Sequence, residues 1–250
     1  MAGHSKWAQI KRQKAVNDKA RGKLFSKLGR EIGVAARDGG DPEFNPRLRT
    51  AIENAKAQNM PNENIERAVR RGTGELPGAR YEETTYEAFG PGGVALLLEC
   101  LTDNGKRTVA ELRHLLDKKG GNLGQSGSVA WMFERRGQIL VDATRCEEDT
   151  ALEVALDAGA ENMEVEDDVF VIITTPSDFH GVEEAVRGAG LPVEGAELAM
   201  VASSPLRVEG KDAERAVRLL GELEDHDDVL RVYSNVDLDD AEWTALADSP

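Results

Sequence analysis

Seven residues, Gly72-Thr73-Gly74-Glu75-Leu76-Pro77-Gly78, divide the chain into two regimes of hydrophobic spacing. Before them, apolar side chains recur every three or four residues, the spacing of one helix face; after them come short apolar runs of strand length. A chain patterned this way is neither one helical bundle nor one β-sandwich. On the helical side, Leu24, Leu28, Ile32 and Ala35 form one face, and Gly39-Gly40-Asp41-Pro42 ends it. Asn45-Pro46 supplies an N-cap and a first helical residue for a second helix carrying Leu48, Ile52 and Ala55. Met60-Pro61-Asn62 breaks the pattern, Ile65, Ala68 and Val69 mark a third face, and Gly72 reads as a C-terminal cap. Residues 1–75 are therefore expected to form a basic helical domain with an N-terminal arm.

Beyond the divide, Thr84–Phe89 and Val94–Leu101 read as strands joined by the turn Gly90-Pro91-Gly92-Gly93. A helix is expected through Val109, Leu112, Leu115 and Leu116, with Thr108 near its start and Gly120-Gly121 at its end; Ser128–Phe133 reads as a strand. The segment from Gln138 to Val201 then repeats the order β-α-β-β-α-β, the ferredoxin-like pattern. A last β-α-β follows, with strands at Leu206–Val208 and Val229–Tyr233 around a helix carrying Ala213, Val217, Leu220 and Leu223. A lone β-α-β leaves sheet edges unpaired, so the units before and after the ferredoxin-like segment are expected to share one sheet. The fold class is α+β in three domains: an N-terminal helical domain and two ferredoxin-like α+β domains, one inserted in the other. The boundaries are 1–75, 76–134 plus 205–238, 135–204 as the insertion, and 239–250 as an acidic tail.

Charge is distributed as unevenly as hydrophobicity. The net formal charge is -15, yet residues 1–75 hold 16 Lys and Arg against 9 Asp and Glu, and residues 76–250 hold 15 against 37. A cationic end on an anionic body attracts polyphosphate at one place and repels it elsewhere. Hydrophobic residues at 40 % and charged residues at 31 % suit a soluble globular protein. No apolar run approaches the roughly 20 residues of a membrane helix, and Met1-Ala2-Gly3-His4-Ser5-Lys6-Trp7 has no apolar leader core. A cytoplasmic location without membrane partners is expected. Cys100 lies in an apolar run and reads as a buried small hydrophobe, whereas Cys146 sits beside Glu147, Glu148 and Asp149, which disfavour a thiolate.

The residues that carry chemistry point to binding rather than catalysis. Lys6, Lys11, Arg12, Lys14, Lys19, Arg21, Lys23 and Lys27 wrap around much of a helix, with Trp7 near its start. Lysine and arginine pair with phosphate, and an indole stacks on an unpaired base; a membrane-surface helix would need a broader apolar face than Trp7, Ile10 and Val16. A second cationic group comprises Lys106, Arg107, Arg113, Lys118 and Lys119, with Arg135 and Arg136 following. Between them, Gly120–Ser128 is rich in glycine and reads either as a cap and flexible connection or as a backbone cradle for polynucleotide phosphate. It lacks the P-loop pattern, and no Rossmann strand precedes it. The acidic groups Glu147-Glu148-Asp149, Glu164–Asp168 and Asp225, Asp227, Asp228 read as solvated turns. His4, His114, His180 and His226 are scattered, and no nucleophile-base or metal-ligand spacing is present. No catalytic residue, metal, cofactor or small-molecule substrate is expected.

Several ordered motifs carry a family resemblance. Met1–Trp7 with Ile10-Lys11, Arg21-Gly22-Lys23, Asn45-Pro46-Arg47-Leu48-Arg49, Asn64–Ala68 and Arg71–Gly74 resemble YebC-type proteins. So do Gly90–Val94, Leu101-Thr102-Asp103-Asn104, Arg107–His114, Gly120–Gly124, Gly127–Ala130 and Val232-Tyr233-Ser234-Asn235; residues 135–204 match more in pattern than in identity. The family includes transcriptional regulators that bind promoter DNA and, among relatives, the mitochondrial translational activator of cytochrome c oxidase subunit I. The resemblance implies a non-enzymatic regulator of gene expression with one of two partners. The favoured one is the ribosome, through rRNA or tRNA, with relief of stalled synthesis; the alternative is promoter DNA. The tail from Asp237 to Pro250 reads as an extension past the family's usual end.

Overall fold

Asn45 organises the first part of the chain. In the computed structural model, described for residues 18–166, 168–238, 242 and 246 (for 18–21 only as backbone), its side-chain oxygen accepts the Leu48 N–H at 3.0 Å. Its amide donates to the carbonyls of Ala35 and Gly39, both at 2.8 Å. One buried side chain thus satisfies groups at the end of helix α1 (Asp18–Ala35) and the start of α2 (Pro46–Ala57). Helix α3 (Asn62–Gly72) completes the helical part, and Leu28, Ile32, Leu48, Ala51, Ala55, Met60, Ile65 and Ala68 form its core. Gly72 is not the left-handed cap expected of it: that conformation falls to Gly74, at φ 84°. Gly72 ends α3 as a point of close approach, where a Cβ would lie 2.3 Å from the Gly33 carbonyl oxygen and 2.6 Å from the Ala36 Cβ.

After Gly78 the elements are β1 (Glu82–Phe89), β2 (Ala95–Thr102), α4 (Gly105–Lys119) and β3 (Asn122–Leu123). The inserted segment holds β4 (Phe133–Asp142), α5 (Glu148–Asp157), β5 (Asn162–Glu166), β6 (Val169–Thr174), α6 (Phe179–Gly188) and β7 (Val193–Ala202). The chain returns through β8 (Leu206–Arg207), α7 (Gly210–Glu224), β9 (Val229–Ser234) and β10 (Val236–Asp237). Two compact units result: Arg21–Gly78 with Arg135–Met200, and Ala79–Glu134 with the chain from Val201 onward. Among the described residues no helix is long and apolar enough to cross a membrane.

The second unit contains the sheet shared across the insertion. Its order is β3-β1-β2-β9, with β9 antiparallel to β2 through Leu98↔Val232 and neighbouring pairs. The ferredoxin-like arrangement is reached by a different strand from the one expected. Leu206–Val208 is expected to join this sheet, but β2 is flanked instead by β1, whose tight hairpin with β2 is set by the Gly90–Gly93 turn. The short β8 pairs instead with β10. Leu96, Leu98 and Cys100 of β2 pack on Leu112 and Leu116 of α4 and on Val217, Leu220 and Leu223 of α7. Each fully buried leucine is worth roughly 1.5–3 kcal/mol, against about 0–1 kcal/mol for an exposed ion pair, so this apolar layer holds the domain. Part of the acidic tail adds to it: Leu246 packs on the core, and Glu242 accepts from Arg207 at 2.6 Å.

The first unit joins the helical part to the inserted domain. The insertion has the expected β-α-β-β-α-β order and the sheet order β5-β6-β4-β7, with Ile139, Val141, Phe170, Ile172, Phe179 and Val182 in its core. Its contact with α2 is polar and specific. Asn54 donates to the Ala196 carbonyl at 2.6 Å and accepts the Ala196 N–H at 2.9 Å, closing one residue of the β7 edge. Thr50 donates to the buried Glu183 carboxylate at 2.7 Å, and Arg187 holds the other oxygen at 3.1 Å. Burial raises the Glu183 carboxyl, but these partners and His180 outweigh it and keep the group below the usual glutamate range.

Gly72→Ala tests the helical packing. Alanine suits a helix better than glycine by about 1 kcal/mol, but here its methyl meets backbone. The expected outcome is a net loss of roughly 1–3 kcal/mol, seen as a lower thermal midpoint; an unchanged or raised midpoint would show that α1 and α3 do not approach so closely.

Candidate nucleic-acid interface

The sequence-expected cations divide into three groups. Lys6, Trp7, Lys11, Arg12 and Lys14 lie outside the described residues. Lys19, Lys23 and Lys27 occupy backbone positions four apart along α1, which places them on one side of that helix, and Arg21 lies between them. The Lys23 side chain is exposed and that of Lys27 is half-buried.

On α4 the five cations are not equivalent. Lys106, Arg113 and Lys118 are exposed, and their side chains form no ion pair or hydrogen bond among the described residues, with Lys106 and Arg113 two turns apart on one side. Lys119 is paired with Glu222. Arg107 donates to Asp103 at 3.0 Å and to Asp228 at 2.8 Å, which raises its already high pKa. Sequence spacing cannot separate Arg107 from Arg113, because the partner that distinguishes them lies more than a hundred residues away. Outside the expected set, the cations exposed and without an ion pair among the described residues include Arg67 and Arg71, four apart on α3, and Arg80. Their signal was legible as a cationic row opposite Ile65 and Ala68.

Asp228 departs from the solvated turn expected of it. It is buried, and one carboxylate oxygen accepts from Arg107, from Thr108 at 2.8 Å and from Thr102 at 3.3 Å. Burial pushes its carboxyl up, but the Arg107 and Thr108 bonds outweigh this and hold it below the usual aspartate range. Glu111, His226 and Asp228 bring ligand atoms within 4.8 Å of one another. Both imidazole nitrogens are already used, however: His226 Nδ1 accepts the Asp228 N–H at 3.1 Å, which leaves Nε2–H for Glu111 at 3.1 Å. The cluster fastens the start of β9 to the first turn of α4. At Cys146, burial and then Asp142 and Glu147 push the thiol up, as its acidic neighbours imply.

The glycine-rich loop is organised from within. Gly120 takes the left-handed conformation at φ 81° and ends α4. At Gly121 a Cβ would come within 2.5 Å of the Phe89 carbonyl oxygen, and at Gly124 within 2.4 Å of Ser128 Oγ. These two glycines let the chain run close against β1, where Gly124 donates to the Glu87 carbonyl at 2.7 Å. The Glu87 carboxylate, buried on β1, then accepts the N–H groups of Gly127 and Val129 at 2.6 Å and of Ala130 at 2.8 Å. Those N–H groups are therefore spent on an internal anion and do not form a phosphate cradle. The strand expected at Ser128–Phe133 is consequently absent: Ala130–Met132 is a 3-10 turn, and strand geometry begins at Phe133.

This geometry offers exposed, unpaired cations on helices and a rigid loop, with no catalytic constellation among the described residues. Residues 5–75 match the family model of the TACO1/YebC protein N-terminal domain, and residues 81–236 match that of the TACO1/YebC second and third domain. The chain belongs to the TACO1/YebC family. Among TACO1/YebC relatives, a probable transcriptional regulatory protein of Desulforapulum autotrophicum is 52% identical, with 98% of this chain and 100% of that protein aligned. Another so named, from Halothermothrix orenii, is 55% identical over 96% of each. The crystal structure of a conserved hypothetical protein from Aquifex aeolicus has a TM-score of 0.84 at 46% identity, covering 90% of this chain and 94% of that one. The second family model ends at residue 236, so the acidic tail lies beyond both matched segments.

The loop staple makes a pH-dependent prediction. Burial raises the Glu87 carboxyl, but the N–H bonds from Val129, Gly127 and Ala130 outweigh it and bring it below the usual glutamate range. A folded-state pKa lowered in this way stabilises the fold above the unfolded value and loses that contribution as pH falls through the folded one. Glu87→Gln is therefore expected to lower the urea midpoint at pH 7 and to speed amide exchange at 127, 129 and 130. The gap from the parent should narrow as pH drops below about 4. A gap independent of pH would show that the carboxylate charge does not hold the loop.

Proposed function

We propose that this TACO1/YebC chain is a nucleic-acid-binding regulator of gene expression, acting in the cytoplasm as a ribosome-associated, RNA-binding translation factor that relieves stalled synthesis and has no catalytic activity of its own. The observation that carries the reading is the charge partition. Residues 1–75 hold 16 basic against 9 acidic side chains, and the remainder holds 15 against 37. Phosphate draws in the cationic end, and the anionic body resists further engagement. In an RNA-rich assembly that asymmetry orients the protein: the arm and helical part enter, and the acidic surfaces stay out. Contact through rRNA or tRNA then rests on phosphate pairing and shape more than on base sequence.

The names of the relatives favour a second reading, sequence-specific binding to promoter DNA. That reading needs a helix free to enter the major groove and a second crossing the backbone. Helices α2 and α3 are the available pair. Thr50 and Asn54 of α2 are bonded to the inserted domain, and α3 carries Glu63 in its first turn, where base contacts are normally made. Both features weigh toward RNA.

Co-sedimentation of the full chain with ribosomes across a salt series, with a promoter-length duplex as competitor, separates the two. Saturable binding that survives excess duplex is expected. Lys11, Arg12 and Lys14 changed together to Gln should weaken it and flatten the log-log salt slope by about 2. Loss of ribosome binding to modest duplex, with preference for one DNA sequence, would establish the promoter reading instead.

A further inference from the structure

In the unit containing α4 and β1–β3, one large apolar side chain among the described residues stands in solvent: Trp131, 72% exposed. Its backbone is not loose. The preceding residues Gly127, Val129 and Ala130 are fastened by their N–H groups to the buried Glu87 carboxylate, and Trp131 lies within a 3-10 turn. Its indole Nε1–H donates to the Ser128 carbonyl at 3.2 Å. The ring is thus held by its own polar edge, with its one hydrogen-bond donor already used. What remains for a partner is the π-face.

We infer that Trp131 is a stacking platform for an unpaired nucleobase, a base-contact point that rests on the nucleic-acid-binding reading above and adds a specific residue to it. A protein-docking site usually presents a contiguous apolar patch with a polar rim. Trp131 instead follows the polar residues Gln125, Ser126 and Ser128, and no other large exposed apolar side chain accompanies it among the described residues of that unit. A flat base needs only one flat ring, and stacking tolerates any base identity. The same unit supplies unpaired Lys106, Arg113 and Lys118 for phosphates. A rigidly presented aromatic loses little conformational freedom on binding, which favours a preorganised contact.

The test uses the full chain, its Trp131→Leu and Trp131→Phe variants, and the Lys11, Arg12 and Lys14 to Gln variant, titrated with a single-stranded oligouridine and with an RNA duplex of equal length. Because the ring is mostly in solvent, neither Trp131 substitution should lower the thermal midpoint. Trp131→Leu is expected to bind the single strand roughly ten- to a hundredfold more weakly, Trp131→Phe to retain most of the affinity, and duplex binding to be unaffected by both. Unchanged single-strand affinity in Trp131→Leu, alongside a loss in the arm variant, would overturn the stacking inference, leave the nucleic-acid reading intact and turn the ring toward a protein partner. If the unmodified chain binds neither RNA at low salt, the broader reading fails with it.

Discussion

Glu87 occupies a strand position flanked by Tyr86 and Ala88, and three backbone N–H groups converge on its carboxylate. Much of the second unit follows from that convergence. The buried charge is tolerated because its oxygens are bonded; unbonded, it would cost several kcal/mol. In satisfying it, residues 127–130 give up the N–H groups that would extend a sheet ladder. The chain therefore leaves the first sheet at Leu123 and does not resume strand geometry until Phe133, where the inserted domain's sheet starts. The position of the exposed indole is a consequence of the same staple.

A related device recurs elsewhere. Asn45 joins two helices through three bonds, Asn54 closes a strand edge through two, and Asp228 gathers Arg107, Thr108 and Thr102. Each is a polar side chain that ties together segments far apart in sequence or separate elements. The apolar clusters supply the larger free energy, but they do not specify which loop meets which strand. Directional bonds to buried or half-buried polar groups do that, and they give a structural role to several residues of the family motifs, among them Asn45, Thr102 and Thr108.

The sequence was most legible where structure is set by near neighbours. Asn45-Pro46, the Gly90–Gly93 turn, the Gly120 cap and the alternation in the inserted domain all mark elements that form as expected. The pairing of Val229–Tyr233 with Val94–Leu101 was legible from edge satisfaction alone. What escaped was decided at long range. Ser128–Phe133 is patterned as a strand but is captured by a carboxylate some forty residues earlier, at Glu87. Gly72 carries a cap's composition but is required by the Gly33 carbonyl of another helix. Within the site, the presence of cations was readable and their availability was not. Arg107 and Arg113 look alike in sequence, and only the fold shows that Asp228 claims the first.

On the proposed reading, the cationic end and the displayed Trp131 indole meet a polyanion while the acidic segments stay out. The most direct measurement of that account is ultraviolet cross-linking of the full chain to ribosomes, with the cross-linked residues mapped by mass spectrometry. The account predicts RNA adducts within residues 1–75 and at Trp131, and none in the acidic segments 147–149 and 164–168. Adducts concentrated in those acidic segments, with the cationic end unmodified, would contradict it.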